Sequence, residues 1–176
     1  QDEIRGIVPL VPAQRTFFAQ DRKFPNHFNL SMMFYSADRM DPDSIGAIFT
    51  KIWNHHDALR MVFTHKNGRW EQENRGTEFS FELHEYEFSG DTVISDAIQK
   101  EMETLQGSID LGKGPLLKIG IFHTSGGDRL LVVIHHLVVD GVSWRILFED
   151  IETLLQQYRA GISLKLPDKT NSFKEW

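Results

Sequence analysis

The feature that most constrains the fold is an uninterrupted apolar run in the last third of the chain, Leu130-Leu131-Val132-Val133-Ile134. Side chains of a β-strand point alternately to opposite faces, so a strand without polar positions has no face to offer to water. The run therefore predicts a strand in the centre of a sheet, with both faces covered by other parts of the chain.

Four segments carry helical signals in their apolar spacing or at their ends. Pro12 is tolerated as a first helical residue, and Asp41 before a proline is a typical helix start. Asp91 and Ser143 are expected to cap the third and fourth helices. The predicted helices cover residues 14–21, 41–55, 91–105 and 143–161.

The remaining apolar segments read as strands, and one pair of them is a hairpin. Asn67-Gly68 lies between two short β-type stretches, which is a strong hairpin signal. The predicted strands cover residues 27–37, 61–64, 69–73, 79–88, 116–124 and 129–136. Alternation of helices with strands predicts an α/β fold with one mixed β-sheet covered by helices.

Length and composition exclude several classes of protein. A chain of 176 residues is of single-domain size, and it contains no cysteine, which rules out disulfides and thiolate chemistry. A net charge of −6 argues against non-specific nucleic-acid binding. Since no apolar run approaches the ~20 residues of a membrane span, we expect no nucleic acid or membrane partner and a soluble, cytoplasmic location.

The motif with the clearest chemical potential directly follows the apolar strand: His135-His136-Leu137-Val138-Val139-Asp140-Gly141. Strand ends beside helix starts are favoured active-site positions in α/β folds. Because neighbouring strand residues diverge, only one of the two histidines can face a given cleft. That histidine could act as a base near neutral pH, while Gly141 suits a sharp turn into the helix.

Two other interpretations of the histidine pair remain open at this point. The pair could be purely structural, as strand-end histidines often are. A metal site is the weakest alternative, since the two rings diverge and no third ligand at a suitable spacing appears nearby. His55 and His56 end a helix, where the helix dipole favours them. The residues thus offer a candidate base without a visible partner acid.

The histidine motif resembles the His-His-x-x-x-Asp-Gly motif of the condensation-domain superfamily. This superfamily belongs to non-ribosomal peptide synthetases and is related to chloramphenicol acetyltransferase. Other family segments occur in the expected order: a Pro-x-Gln-x-x-Phe-Phe-like opening, a His-x-x-Leu-Arg-x-x-Phe-like segment and an Asp-Leu-x-x-Gly-Pro-Leu-Leu-like segment. They lie at residues 11–20, 56–63 and 110–118.

Within this superfamily the chain looks most like an epimerization domain. Val142 follows the glycine, where domains that form peptide bonds more often have a bulky aromatic residue, and Trp144 comes two positions later. The resemblance implies an N-terminal, two-layer, chloramphenicol acetyltransferase-like lobe over residues 1–176, with the C-terminal lobe and its catalytic Glu absent.

By this resemblance, the domain interconverts L and D configurations at the Cα of an aminoacyl or peptidyl thioester. His136 is the implied catalytic residue, acting as acid, base or enolate stabiliser. His135, Asp140, Gly141 and Arg60 are the implied supports of the site. Since charges beside apolar segments are usually paired, and since the matching residues meet in related domains, an Arg60–Asp140 salt bridge is expected.

The resemblance also implies the partners. No cofactor is expected to bind this lobe itself, and no metal is expected either; the substrate is presented on the phosphopantetheine arm of a peptidyl carrier protein. The missing C-terminal lobe is the second expected partner, so the fragment alone should be inactive. The alternatives are a condensation domain that forms the peptide bond and a non-catalytic lobe that only docks the carrier.

Overall fold

A computed structural model describes residues 3–88, 94–169, 171, 172 and 174. The strands are β1 (Gly6–Val8), β2 (Asn29–Ser36), β3 (Met61–Lys66), β4 (Arg69–Asn74), β5 (Glu82–Glu87), β6 (Leu117–His123) and β7 (Asp128–His135). The helices are α1 (Pro12–Ala19), α2 (Pro42–His55), α3 (Ile94–Gly107) and α4 (Gly141–Arg159), with a 3₁₀ turn at Asp57–Arg60.

The apolar strand β7 lies inside a four-stranded mixed sheet of order β2-β7-β6-β5. Its pairings with β2 and β6 are antiparallel, whereas β5 runs parallel to β6. No side chain from Leu130 to Ile134 is more than 4% exposed. The predicted central strand and the α/β class with a mixed sheet are therefore confirmed.

Alternate side chains of β7 supply two separate cores. Leu130, Val132 and Ile134 pack with α2 and α4, whereas Leu131 and Val133 pack with α1, α3 and part of the hairpin. Helices thus lie on both faces of the sheet. This arrangement follows from the sequence of β7, which is apolar in both directions.

The hairpin of β3 and β4 forms a second sheet that the sequence did not indicate. Asn67 and Gly68 both have positive φ angles, 50° and 76°, as a tight hairpin turn requires. β4 also pairs with β1, which gives a three-stranded antiparallel sheet of order β1-β4-β3. The expectation of one sheet was wrong: the hairpin pairs with β1, whose three residues are too few to show alternation, and not with a strand of the four-stranded sheet.

Two of the predicted helix caps have different outcomes. Asp140, not Ser143, caps α4: its side chain accepts the Ser143 N–H, and the helix begins at Gly141. Asp41 caps α2 as predicted, accepting from Asp43 and Ser44. The predicted cap Asp91 lies outside the described residues. Across the described ranges, no helix is long and apolar enough to cross a bilayer.

Candidate active site

The histidine pair lies where β7 ends, and backbone hydrogen bonds fix both residues on the sheet. The His135 N–H donates to the Leu116 carbonyl at 3.0 Å, and the His136 N–H donates to the Phe28 carbonyl at 2.8 Å. Asp140 then begins α4 after a short turn. Strand, turn and helix together hold the motif at one end of the sheet.

His135 is fully buried, and both of its ring nitrogens are bonded. Nε2 lies 2.9 Å from the Pro25 carbonyl oxygen, which can only accept, so Nε2 carries the proton. Nδ1 accepts the Leu137 N–H at 3.2 Å. Burial lowers the pKa of His135 to about 4, although the Pro25 bond opposes this shift. His135 is thus a neutral structural residue without a free lone pair.

His136 is half-buried and faces a cavity of about 440 Å³. Its Nδ1 lies 2.8 Å from the Val139 carbonyl oxygen, so Nδ1 carries the proton of the neutral ring. The lone pair of Nε2 is then available, and no hydrogen bond to it comes from the part of the chain that the structure describes. The two histidines therefore have opposite tautomers and different chemical capacities.

The cavity walls are mainly apolar, with two buried glutamines that sequence reasoning did not assign. The Gln14 amide donates to the Gln72 side chain at 2.8 Å and to the Leu137 carbonyl at 3.1 Å. Gln14 thereby ties α1 and β4 to the histidine turn. Gln14 lies in the Pro-x-Gln-like segment, so the sequence marked this residue, but the motif alone does not reveal its contacts with Gln72 and Leu137.

Asp140 and Gly141 differ from their expected roles. The Asp140 carboxylate accepts from the Ser143 hydroxyl and the Ser143 N–H, each at 2.7 Å, and these bonds lower the pKa of Asp140. Asp140 is therefore ionised at neutral pH. A Cβ on Gly141 would meet no atom within 4 Å among the described residues, and Gly141 has no positive φ, so a sharp turn does not require glycine there.

The expected Arg60–Asp140 salt bridge was wrong. Arg60 is 2% exposed, and its guanidinium pairs with Asp57 and donates to the Trp53 carbonyl. Asp57 also accepts from Lys169 at 3.1 Å. The 3₁₀ turn Asp57–Arg60 explains the change, because it brings a carboxylate three residues away onto the buried guanidinium.

Two clusters outside the cavity combine histidines with carboxylates. His55, His56 and Asp150 form one, and His123, Glu85 and Glu87 form the other. His56 Nε2 lies 2.7 Å from Asp150, and both His123 nitrogens contact carboxylates of Asp128 and Glu85, at 2.6 and 2.9 Å. These hydrogen bonds between elements give the histidines of both clusters a structural role, and the expectation that this lobe holds no metal stays a prediction.

The first prediction separates the two candidate partners of Arg60. Asp57→Ala should lower the free energy of unfolding by about 3–5 kcal/mol, because it leaves a buried guanidinium unpaired. Asp140→Ala should cost about 1 kcal/mol, the value of a lost helix cap, and Asp140→Asn should cost less. Urea unfolding measures the loss of unfolding free energy in each of the three variants. A larger loss in Asp140→Ala than in Asp57→Ala would show that Asp140 is the partner of Arg60.

The second prediction concerns His135 and pH. Its folded pKa of about 4 lies below the ordinary 6.5, so the unfolded chain binds a proton first as the pH falls. The His135 contribution to stability is thus complete above pH 6.5 and declines by about 3 kcal/mol toward pH 4. His135→Gln should remove this part of the pH dependence in urea unfolding, with His27→Gln as the surface control. Parallel curves for wild type and His135→Gln would contradict it.

Sequence comparison finds relatives that match the whole of this chain. The chain is 44% identical to tyrocidine synthase 1 of Brevibacillus parabrevis and to gramicidin S synthase 1 of Brevibacillus brevis. Both alignments cover 100% of this chain but 16% of each relative, so the chain spans a small part of these curated relatives.

Solved structures of individual synthetase domains also match this chain. The epimerization domain from the third module of tyrocidine synthetase B superposes with a TM-score of 0.96 at 41% identity, over 100% of this chain and 40% of that chain. The starter condensation domain of rhizomide synthetase gives 0.76 at 16% identity, over 92% of this chain and 40% of that chain, and so supports the fold alone. The model of the condensation-domain family matches residues 4–176, and the chain belongs to that family.

Proposed function

We propose that the chain is the N-terminal lobe of an epimerization domain of a non-ribosomal peptide synthetase. The intact domain would invert the Cα configuration, from L to D, of an aminoacyl or peptidyl thioester. The substrate would be held on the phosphopantetheine arm of a peptidyl carrier protein. The observation that carries this proposal is the match to an epimerization domain at 41% identity over the whole chain, together with His136 Nε2, whose lone pair accepts no hydrogen bond from the described residues.

The chemistry follows from that lone pair. A thioester makes the adjacent Cα–H more acidic, and a positioned base can remove this proton. In the proposed step, His136 Nε2 takes the Cα proton, the C–H electron pair enters the enolate, and the ring becomes an imidazolium. The Val139 carbonyl oxygen, 2.8 Å from Nδ1, continues to accept from the charged ring and so stabilises it. Run in reverse, the same ring is the acid that returns a proton.

Inversion also needs a proton from the opposite face. Asp140 is the one carboxylic acid among the described residues that line the cavity, and its bonds to Ser143 keep it ionised. We therefore assign the second proton-transfer group to the C-terminal lobe. The requirement for two proton-transfer groups supports an active domain of two lobes, in which His136 is one of the two groups.

The third prediction tests His136 in the intact two-lobed domain. His136→Ala should lower Cα deuterium exchange on a carrier-bound aminoacyl thioester by about 10²–10⁴-fold, the range for a lost general acid or base. The variant should stay folded and lose less thermal stability than His135→Ala, since the half-buried His136 ring gives up one bond, to the Val139 carbonyl, whereas the fully buried His135 gives up two.

His135→Ala provides the matched control. It should lower the melting temperature, because it leaves the Leu137 N–H and the Pro25 carbonyl without their partner. Full activity in His136→Ala combined with a folded, inactive His135→Ala would reverse the assignment. Full activity in both variants would remove the histidine mechanism altogether.

The fourth prediction concerns the isolated lobe. The 176-residue chain should not convert an L-aminoacyl thioester to the D form, since it supplies one of the two proton-transfer groups that inversion needs. Adding the C-terminal lobe as a separate chain should restore this conversion if the two lobes associate. Chiral analysis of the released amino acid measures it, and L-to-D conversion by the isolated chain would contradict the division of the site between lobes.

The two alternatives give different outcomes in the same assay. A condensation domain would form an amide from a second, amine-bearing carrier substrate, with His136 positioning or deprotonating the amine, and would catalyse no Cα exchange. A docking lobe would bind the carrier and catalyse neither reaction, even with the C-terminal lobe present. The 41% identity to an epimerization domain, against 16% to the condensation domain above, favours the first assignment.

A further inference from the structure

Phe28, which the sequence did not single out, holds His136 by both its backbone and its ring. Its carbonyl oxygen accepts the His136 N–H at 2.8 Å. Its phenyl ring stacks on the imidazole with centroids 4.9 Å apart and planes 16° from parallel. Both rings line the cavity and are half-buried.

Two contacts together determine the direction of the His136 ring. The bond from Nδ1 to the Val139 carbonyl fixes one edge of the ring, and the Phe28 face fixes its plane. With the Nδ1 hydrogen bond alone, the plane of the ring could still tilt and carry Nε2 away from the reacting atom. With the plane also fixed, the lone pair of Nε2 has one direction.

Phe28 also contacts a cation and a second aromatic ring. The Arg22 guanidinium lies 4.7 Å from the Phe28 centroid and 4.6 Å from the Phe17 centroid. Phe17 and Phe28 are 5.3 Å apart, and Phe17 also meets the fully buried His135 edge-on at 5.9 Å. The stacking face is therefore anchored to the same core as the structural histidine.

We infer that Phe28 is a positioning residue that orients His136 for proton transfer. The expected effect on the reaction rests on the proposed function, whereas the contact between the two rings is observed in the structure. A misplaced reacting group costs up to about 10²-fold in rate. Because orientation acts in the transition state rather than in substrate binding, the loss should fall on kcat and leave KM within about twofold.

The experiment uses the intact domain in four forms: wild type, Phe28→Leu, Phe28→Tyr and Phe18→Leu. Phe18 is a matched control, since it stacks on Trp70 with centroids 4.1 Å apart and does not line the His136 cavity. Phe28→Leu should lower kcat for Cα exchange by about 10- to 100-fold. Phe28→Tyr, which keeps an aromatic face, should stay within about threefold of wild type, and Phe18→Leu should retain wild-type kcat.

A spectroscopic readout separates this inference from the proposed function. With ¹³C-labelled histidine, the ring protons of His136, assigned through His136→Ala, should resonate upfield in wild type under the Phe28 ring current. They should move downfield in Phe28→Leu and not in Phe18→Leu. Unchanged shifts in Phe28→Leu, or a raised KM with unchanged kcat, would overturn the positioning role. A wild-type domain without exchange activity would refute the proposed function, while the shifts still decide the contact.

Discussion

Burial of β7 on both faces is the constraint on which the candidate site depends. The side chains of Leu130 to Ile134 alternate between two cores, and the last residue of the strand, His135, is fully buried with both ring nitrogens bonded. A residue bonded in this way cannot turn without breaking two hydrogen bonds in a medium without water. The strand therefore ends at a fixed point, and the side chain of the next residue, His136, points to the opposite face, where the cavity lies.

The site gains its asymmetry from this fixed point. Two adjacent imidazoles of the same intrinsic chemistry receive opposite tautomers, because each meets a different carbonyl oxygen, that of Pro25 or that of Val139. Burial then keeps the proton off Nδ1 of His135, whereas Nε2 of His136 faces open space. One histidine stabilises the fold, and the other is left with a usable lone pair.

The sequence was sufficient for several features whose signal is local or periodic, although it misplaced the cap of α4. The central strand, the bounds of α2 with its Asp41 cap, and the Asn67-Gly68 turn all follow from spacing and turn chemistry. It failed for Arg60, whose partner depends on a 3₁₀ turn that apolar periodicity does not reveal. It also missed Phe28 and Gln14, since ring stacking and amide bonding across elements exist only after the chain has folded.

The arrangement bears on which reaction the proposed domain performs. Amide formation needs one group to handle the amine proton, and His136 could do this alone. Inversion at Cα needs two groups on opposite faces of the enolate, and the carboxylate nearest in sequence, Asp140, is held ionised at the start of α4. Among the described residues that line the cavity, the one carboxylate is thus committed to helix capping, and the proposed epimerization would take its second proton donor from the C-terminal lobe. The number of independent proton-transfer groups, more than the histidine motif that both reactions share, is therefore the physical property that separates the two functions.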